Sequence, residues 1–232
     1  MRNKNYFLFI LILFAAFSCK KKDDNVIEPI DYSYFPIQVG HYVVYEADSV
    51  VIDEFSGDTI KSHFELKDVV ESIIKDNEGR DTQRRERYRR ENDTLPWQLI
   101  KVYTTNLNTN TAETFIDNIR TVSLSFPVKL GASWNGNNYT DKESDNFSYT
   151  GTDETVNLLG NNYASTATIT QKDEKNLIKR EYAVEKYSKN VGLVYKQFIK
   201  DSSNASDLSI PFEQRITGGV RFTMTVKSYG NL

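Results

Sequence analysis

The chain has 232 residues, with 29 Lys and Arg against 32 Asp and Glu, 39% hydrophobic residues and 12% aromatic residues. This length and apolar content suffice for one all-β domain, or two small ones, with a buried core. The near balance of charge argues against nucleic-acid binding, which usually brings a basic excess. One Cys and two His exclude a disulfide framework within the chain and argue against a zinc or other metal centre. We therefore expect no metal and no other cofactor.

The first residues have the pattern of a secretory signal. Arg2 and Lys4 form a basic start, and an unbroken apolar run of eleven residues follows, from Phe7 to Phe17. The core of a signal peptide has about this length, whereas a membrane-spanning helix needs about twenty apolar residues. Because the run ends at Ser18-Cys19, the pattern predicts a signal peptide at residues 1–18.

Ser18-Cys19 resembles the lipobox of bacterial lipoproteins, in which the Cys becomes the acylated N-terminus. Cys19 is the only Cys of the chain and stands at the end of the apolar run. Ala16 and Phe17 differ from the usual lipobox residues, so a plain secretory signal is the alternative. The resemblance implies that Cys19 is lipidated. Two or three acyl chains would then anchor the protein to a membrane, since each buried methylene contributes about 0.8 kcal/mol.

A charged stretch, Lys20-Lys21-Lys22-Asp23-Asp24, follows Cys19. It resembles the export signal that routes lipoproteins of Bacteroidota to the cell surface, which implies an outer-membrane anchor with the cell surface favoured over the periplasmic face. Residues 20–31 have no apolar periodicity, and we interpret residues 19–33 as the acylated Cys followed by a flexible charged tether. Removal of Arg2 and Lys4 with the signal leaves 27 basic residues against 32 acidic ones, a mature net charge of −5.

Beyond Tyr32 the dominant pattern is a two-residue alternation of apolar and polar residues, which is typical of strands with one buried face. In the C-terminal stretch the apolar residues of one parity are Phe212, Ile216, Val220, Phe222, Met224 and Val226. Gly218-Gly219 within it indicates a bulge or bend. A second alternating set is Val191, Leu193, Tyr195 and Ile199.

Turn-forming sequences separate the alternating stretches. They are Ser56-Gly57-Asp58, Asn77-Glu78-Gly79, Glu91-Asn92-Asp93, Gly160-Asn161-Asn162 and Lys172-Asp173-Glu174. Together with the enrichment in Tyr, Thr, Val, Ile and Phe, they predict an all-β fold over residues 34–232. We expect a mostly antiparallel meander of about ten strands that forms a strongly curved sheet or half-open barrel.

Residues 62–79 fit two patterns. Their apolar residues recur at helical spacing, Ser62 and Glu65 match a capping box, and Gly79 stands where a helix would end. With a period of two, Phe64, Leu66, Val70 and Ile74 instead share one face. We predict a strand over 62–76, because the rest of the chain has the β pattern.

Two similar segments open the two halves of the predicted domain: Phe35-Pro36-Ile37-Gln38-Val39-Gly40 and Phe126-Pro127-Val128-Lys129-Leu130-Gly131. They are compatible with a duplication into similar halves, 34–125 and 126–232. A chance match is the alternative in a chain of this length, because Pro and Gly recur wherever a turn needs them.

Taken together, the Ser18-Cys19 start, the segments around Phe35-Pro36 and Phe126-Pro127, and Val191-Gly192-Leu193-Val194-Tyr195 resemble small envelope lipoproteins of Bacteroidota. The resemblance implies a curved antiparallel sheet akin to the half-barrels of periplasmic lipoprotein carriers. It brings no catalytic residue with it.

Five arginines lie between Arg84 and Arg90, and in a strand Arg85, Arg87 and Arg89 would share one side. They are candidate ligand-binding residues, because the guanidinium fork binds phosphate and acidic glycans. Pairing with acids on neighbouring strands is the alternative. Trp97 and Trp134 are further candidates, since aromatic rings stack on sugars, although core packing explains most aromatic residues in a sheet.

Three tripeptides resemble the Asp-Ser/Thr-aliphatic acceptor motif for O-glycosylation in Bacteroidota: Asp48-Ser49-Val50, Asp58-Thr59-Ile60 and Asp93-Thr94-Leu95. The resemblance makes Ser49, Thr59 and Thr94 candidate modified residues.

The sequence contains no nucleophile elbow, phosphate-binding loop, His-Glu-x-x-His pair or Rossmann glycine pattern. We therefore predict a non-enzymatic, lipid-anchored envelope protein that binds or scaffolds an envelope protein, a glycan or a lipid, and no nucleic acid. One alternative is an envelope glycan hydrolase with an acid pair that the sequence does not identify. Another is a lipid or lipoprotein carrier, which requires an apolar pocket.

Overall fold

The structure is a computed structural model that describes residues 29–204 and 207–232. The predicted signal peptide, Cys19 and the first part of the tether lie outside these residues. The described residues form twelve strands: β1 (His41–Ile52), β2 (Thr59–Lys75), β3 (Asp81–Arg90), β4 (Gln98–Leu107), β5 (Thr111–Ile116), β6 (Ile119–Ser125), β7 (Ser133–Asn135), β8 (Asn146–Leu158), β9 (Asn161–Lys175), β10 (Lys179–Ser188), β11 (Gly192–Ser203) and β12 (Ile216–Asn231).

All twelve strands belong to one antiparallel sheet with the order β6-β5-β4-β3-β2-β1-β12-β11-β10-β9-β8-β7. The sheet curls into a nearly closed barrel, which confirms the predicted fold class with two strands more than expected. The edges β6 and β7 meet at a seam, where the Val122 N–H donates to the Gly136 carbonyl at 2.9 Å and Trp134 Nε1 donates to the Val122 carbonyl at 2.8 Å. β7 has only three residues, so the seam is short.

The segment with two possible patterns is a strand, as predicted, because β2 pairs with β1 and β3 along its length. The register with β3 shifts between Val70 and Ser72, which makes Glu71 an extra residue in β2. A bulge of this kind moves the following side chains to the opposite face. The apolar residues on both sides of the bulge therefore mimic the spacing of a helix.

The segment that precedes β1 closes one end of the barrel, called the closed end below. Tyr34 and Phe35 are buried there, and the ring of Tyr32 packs edge-to-face on Phe126 with centroids 5.0 Å apart. Gly40 ends the segment with φ +88°, and its carbonyl accepts a hydrogen bond from the Leu232 N–H at 3.0 Å. Of the predicted tether, Ile30 and Tyr32 pack against the buried cluster of this end.

Each half of the chain contributes six consecutive strands to the sheet, β1–β6 and β7–β12. The two similar segments, 35–40 and 126–131, precede β1 and β7, and both Phe35 and Phe126 belong to the same buried cluster at the closed end. Gly40 and Gly131 both have positive φ. The division into similar halves stays a prediction, and these placements are compatible with it.

The prediction misplaces one turn and one strand residue. Lys172-Asp173-Glu174 is not a turn but part of β9, and the chain turns between Lys175 and Lys179. The charged residues there are cross-strand partners: Arg180 Nη1 lies 2.6 Å from Asp173 Oδ1, for example. Phe212 lies in a 3-10 helix ahead of β12 rather than in the strand.

Candidate functional site: an interior cavity

The barrel encloses a cavity of about 560 Å³. Its floor is at the closed end, where Phe35, His41 and Val191 are buried. At the opposite end, called the open end, the lining side chains of Ile116, Thr121, Asn137, Phe198 and Phe222 are partly exposed. A ligand would therefore enter from the open end, where the β1–β2, β5–β6, β9–β10 and β11–β12 connections lie.

One wall of the cavity is apolar and aromatic. Phe198 on β11 and Phe222 on β12 are stacked with their centroids 5.6 Å apart, and Met224 lies beside them, fully buried. Val43, Phe147 and Leu193 extend this apolar lining. A concave surface of this size and composition is typical of a site for a small ligand with an apolar part.

The part of the lining that β2 and β3 form carries an ion pair, because the register of these two strands places Asp68 opposite Arg87. Arg87 Nε donates to Asp68 Oδ1 and Arg87 Nη2 donates to Asp68 Oδ2, both at 2.6 Å. The Asp68 side chain is 8% exposed and the Arg87 side chain 22%. Burial opposes the charged form of Arg87, but the attraction and hydrogen bonds of Asp68 outweigh it and hold the pKa of Arg87 well above its usual value.

A second ion pair joins β10 and β11. Lys196 Nζ donates to Glu185 Oε1 at 2.7 Å, and the Tyr187 hydroxyl donates to Glu185 Oε2 at 2.7 Å. Burial raises the pKa of Glu185, but Lys196 and the Tyr187 hydroxyl outweigh it, so the net shift is downward. Burial and the neighbouring Glu185 carboxylate raise the pKa of Tyr187 well above 10. Glu185 is therefore an ionised acceptor, and Tyr187 is a neutral donor.

Arg85 also lines the cavity, but with neutral partners. Its Nε donates to Thr105 Oγ1 at 2.9 Å, and its Nη2 donates to the Pro36 carbonyl at 2.6 Å. The guanidinium lies 5.4 Å from the centroid of the Phe35 ring. Among the described residues, no carboxylate forms an ion pair with Arg85, unlike Arg87 and Lys196. Arg85 is thus the cation of the lining whose charge the described residues leave uncompensated.

His41 and two tyrosines complete the polar part of the floor. His41 Nε2 lies 3.0 Å from the Val191 carbonyl, and burial is the main cause that lowers the pKa of His41 below its usual 6.5. His41 is therefore neutral at pH 7 and donates through Nε2. Burial raises the pKa values of Tyr45 and Tyr103 well above 10, so both phenols stay neutral.

The structure separates the five candidate ligand-binding residues. Arg85 and Arg87 line the cavity. Arg89 shares their face but lies nearer the open end. Its guanidinium carbon lies 3.9 Å from the centroid of the Phe64 ring, and its Nη2 lies 2.9 Å from Glu91 Oε1. Trp97 lies on the outer surface, 4.4 Å from the guanidinium of Arg90 and 5.0 Å from Lys67 Nζ. Trp134 packs at the seam. The predicted set therefore contributes two residues to the cavity.

Sequence reasoning missed Asp68, Glu185 and Lys196. Asp68 has the parity of Phe64 and Leu66, so a carboxylate on an apolar face was a signal that could have identified it. The inward position of Lys196 was hidden by a bulge: the register between β10 and β11 shifts so that Val194 is an extra residue. Tyr195 and Ile199 therefore do not share a face with Val191 and Leu193, although the sequence pattern predicts that they do.

The three candidate glycosylation residues differ in accessibility. Thr59 and Thr94 are exposed, at the start of β2 and in the β3–β4 connection. The Thr94 hydroxyl donates to Asn92 Oδ1 at 2.6 Å. Ser49 is partly buried within β1, where it is paired with both Ser62 and Phe222. An enzyme would reach Thr59 and Thr94 more easily than Ser49.

Within residues 29–204 and 207–232, no three His, Cys, Asp or Glu side chains are grouped closely enough to hold a metal ion. None of the helices in these two ranges has the length and hydropathy that crossing a membrane requires.

Comparison with known proteins finds a solved structure that is similar to this chain in its fold. A solved structure that the chain resembles is that of a Bacteroides fragilis protein classed as a candidate exported protein with a YmcC-like fold. The two share 11% identity, and the match covers 85% of this chain and 98% of that chain with a TM-score of 0.44. No protein-family model and no curated protein matches the chain.

Proposed function

We propose that the protein is a non-enzymatic ligand-binding protein of the bacterial envelope, and that its interior cavity holds one small molecule with a large apolar part. The observation that carries this proposal is the cavity of about 560 Å³, closed at one end and walled by Phe198, Phe222 and Met224. Burying a ligand against such a wall stabilises the complex by about 25 cal/mol per Å² of apolar surface removed from water. Among the alternatives, the cavity favours a lipid carrier over a scaffold without a pocket.

The charges in the cavity support binding rather than glycan hydrolysis. A glycosidase needs a carboxylic acid whose pKa is raised so that it can donate a proton. The acids that line the cavity are Asp68 and Glu185, and each is held by a cation. The pKa of Glu185 is lowered, which is the wrong direction for a general acid.

The proposed location follows from the sequence. An acylated Cys19 would anchor the protein at the outer membrane, on the cell surface in preference to the periplasmic face. Ile30 follows Cys19 by eleven positions, and an extended chain of that length spans at most about 40 Å. The domain would thus stay near the membrane, attached at its closed end, and the tether would raise its local concentration there.

The cavity is tested by blocking it. We would express the full chain, hold it in amphipol and titrate the neutral apolar fluorophore N-phenylnaphthylamine. Thr121→Trp places a large side chain in the cavity and should abolish saturable binding. Thr223→Trp is the matched control, since Thr223 alternates with the inward Phe222 and Met224 and so lies on the outer face. Saturable binding that is equal in the wild type and both variants would contradict the proposal.

The anchor is tested separately. Cys19→Ala should shift the protein from the membrane fraction to the soluble fraction of fractionated native cells, and the mass of the wild-type chain should exceed that of the polypeptide by its acyl groups. Protease treatment of intact cells should degrade the wild-type domain if it is displayed on the surface. A Cys19→Ala variant that stays in the membrane fraction would contradict lipid anchoring through this residue.

A further inference from the structure

We infer that the Arg85 guanidinium binds the carboxylate of the ligand, so that the cavity takes a monoanionic amphiphile such as a fatty acid with its head group at the floor. This inference rests on the proposed function, because it names the class of molecule that the same cavity would bind.

Arg85 has donors to spare in a fixed direction. A guanidinium carries five N–H donors, and the two described hydrogen bonds, to Thr105 Oγ1 and the Pro36 carbonyl, leave three. The same hydrogen bonds hold the side chain in place, and Thr105 is itself fixed by its hydrogen bond to Gln83 Oε1 at 3.2 Å. A preorganised guanidinium loses little entropy when it binds a carboxylate through two parallel hydrogen bonds.

The net charge of the cavity lining favours a ligand with one negative charge. Three cationic residues line the cavity, Arg85, Arg87 and Lys196, against the two acids Asp68 and Glu185. Both acids are already paired, and His41 is neutral at pH 7, so the described lining has an excess of one positive charge. A monoanion would neutralise it, whereas a dianionic phosphate would leave an unpaired negative charge in a partly buried site, which is unfavourable.

The distribution of polarity fixes the orientation of the ligand. Arg85 contacts Pro36 and Phe35, which belong to the segment that closes the barrel, so the free donors lie deep in the cavity. The stacked rings of Phe198 and Phe222 lie towards the open end. A head group at Arg85 therefore leaves the apolar chain against these rings and directed to the entrance.

The test compares two probes that differ in the head group alone, dodecanoate and dodecanol. The full chain in amphipol is titrated with each probe by calorimetry at pH 7.5, for the wild type and for Arg85→Gln, Arg85→Lys and Arg84→Gln. Arg84 is the matched control, because it loses the same charge but lies on the outer face, paired with Glu71 and Glu86. Partition into the amphipol differs between the two probes, so it is measured for each probe with protein-free amphipol and subtracted.

We expect wild type and Arg84→Gln to bind dodecanoate at least tenfold more tightly than dodecanol. Arg85→Gln should lose that preference while it still binds dodecanol, which also shows that its cavity is folded, and Arg85→Lys should keep part of the preference. Equal binding of the two probes by wild type, or an unchanged preference in Arg85→Gln, overturns this inference alone. Binding of neither probe by wild type overturns the proposed function together with it.

Discussion

The ion pair between Asp68 and Arg87 allows a quantitative test of how the cavity wall is held together. Asp68→Ala removes the partner of a guanidinium that donates two hydrogen bonds of 2.6 Å to it. Hydrogen bonds to charged groups contribute about 1.5–3 kcal/mol each, and removing one partner of a buried ion pair typically costs about 3–5 kcal/mol. With the Asp68 side chain only 8% exposed, we expect a loss within that range. For a chain of this size the melting temperature should fall by on the order of 10 °C.

The assay is urea unfolding of the full chain in amphipol, followed by circular dichroism at constant m-value. Asp81→Ala is the matched control, because Asp81 pairs with Lys75 at 2.7 Å on the surface, with 65% and 68% of the two side chains exposed. That variant should lose no more than about 1 kcal/mol. Asp68→Leu combined with Arg87→Met should recover most of the loss, since no buried charge is left unpaired. A loss below about 1 kcal/mol for Asp68→Ala would refute this reasoning.

Three further predictions follow from individual contacts. The chain has two histidines, and NMR titration should give His41 a pKa below 6.5, because of burial, and His63 a pKa above 6.5, because of its hydrogen bond to a carboxylate. The stabilisation from His41 is then complete above pH 6.5 and is lost as the pH falls, whereas the stabilisation from His63 is complete below pH 6.5 and is lost as the pH rises. The opposite order of the two pKa values would contradict the structure. The folded-state pKa of Glu185 is lowered, so the stabilisation from its charge is present above about pH 4.3 and is lost as the pH falls through the folded-state pKa. Glu185→Gln should therefore be less stable than the wild type at pH 7 and should lose less stability in acid. Urea unfolding at a series of pH values measures both differences. Trp134→Phe removes the hydrogen bond from the indole to the Val122 carbonyl at the seam. This variant should lower the free energy of unfolding by about 1 kcal/mol and speed hydrogen exchange at the Val122 amide. Unchanged exchange there would show that the seam does not depend on the indole.

The fold was predictable because alternation with a period of two persists through most of the chain and because the turns fall where Gly, Asn and Asp are concentrated. The errors about which side chains face inward arise at bulges, which the sequence does not signal strongly. Val194 as an extra residue in β11 reverses the faces of the residues after it, and Glu71 has the same effect in β2. A single inserted residue thus changes which side chains point inward without changing the composition of the strand.

The cavity was less predictable than the sheet. Alternation places Arg85 and Arg87 on one face, but whether that face is enclosed depends on closure at the seam and on the segment before β1, which are long-range contacts. The partner of Arg87 depends on the register between β2 and β3. The inner face was also expected to be apolar. Lys196 and Glu185 nevertheless point inward, because they form an ion pair with each other.

Native mass spectrometry of the full chain, extracted from native membranes in amphipol, tests the ligand-binding proposal most directly. The proposal predicts a one-to-one complex between the acylated chain and a small molecule, and the loss of that molecule in Thr121→Trp but not in Thr223→Trp. A wild-type chain with no mass beyond that of the acylated polypeptide, and with none added after incubation with dodecanoate or dodecanol, would contradict a ligand-binding cavity.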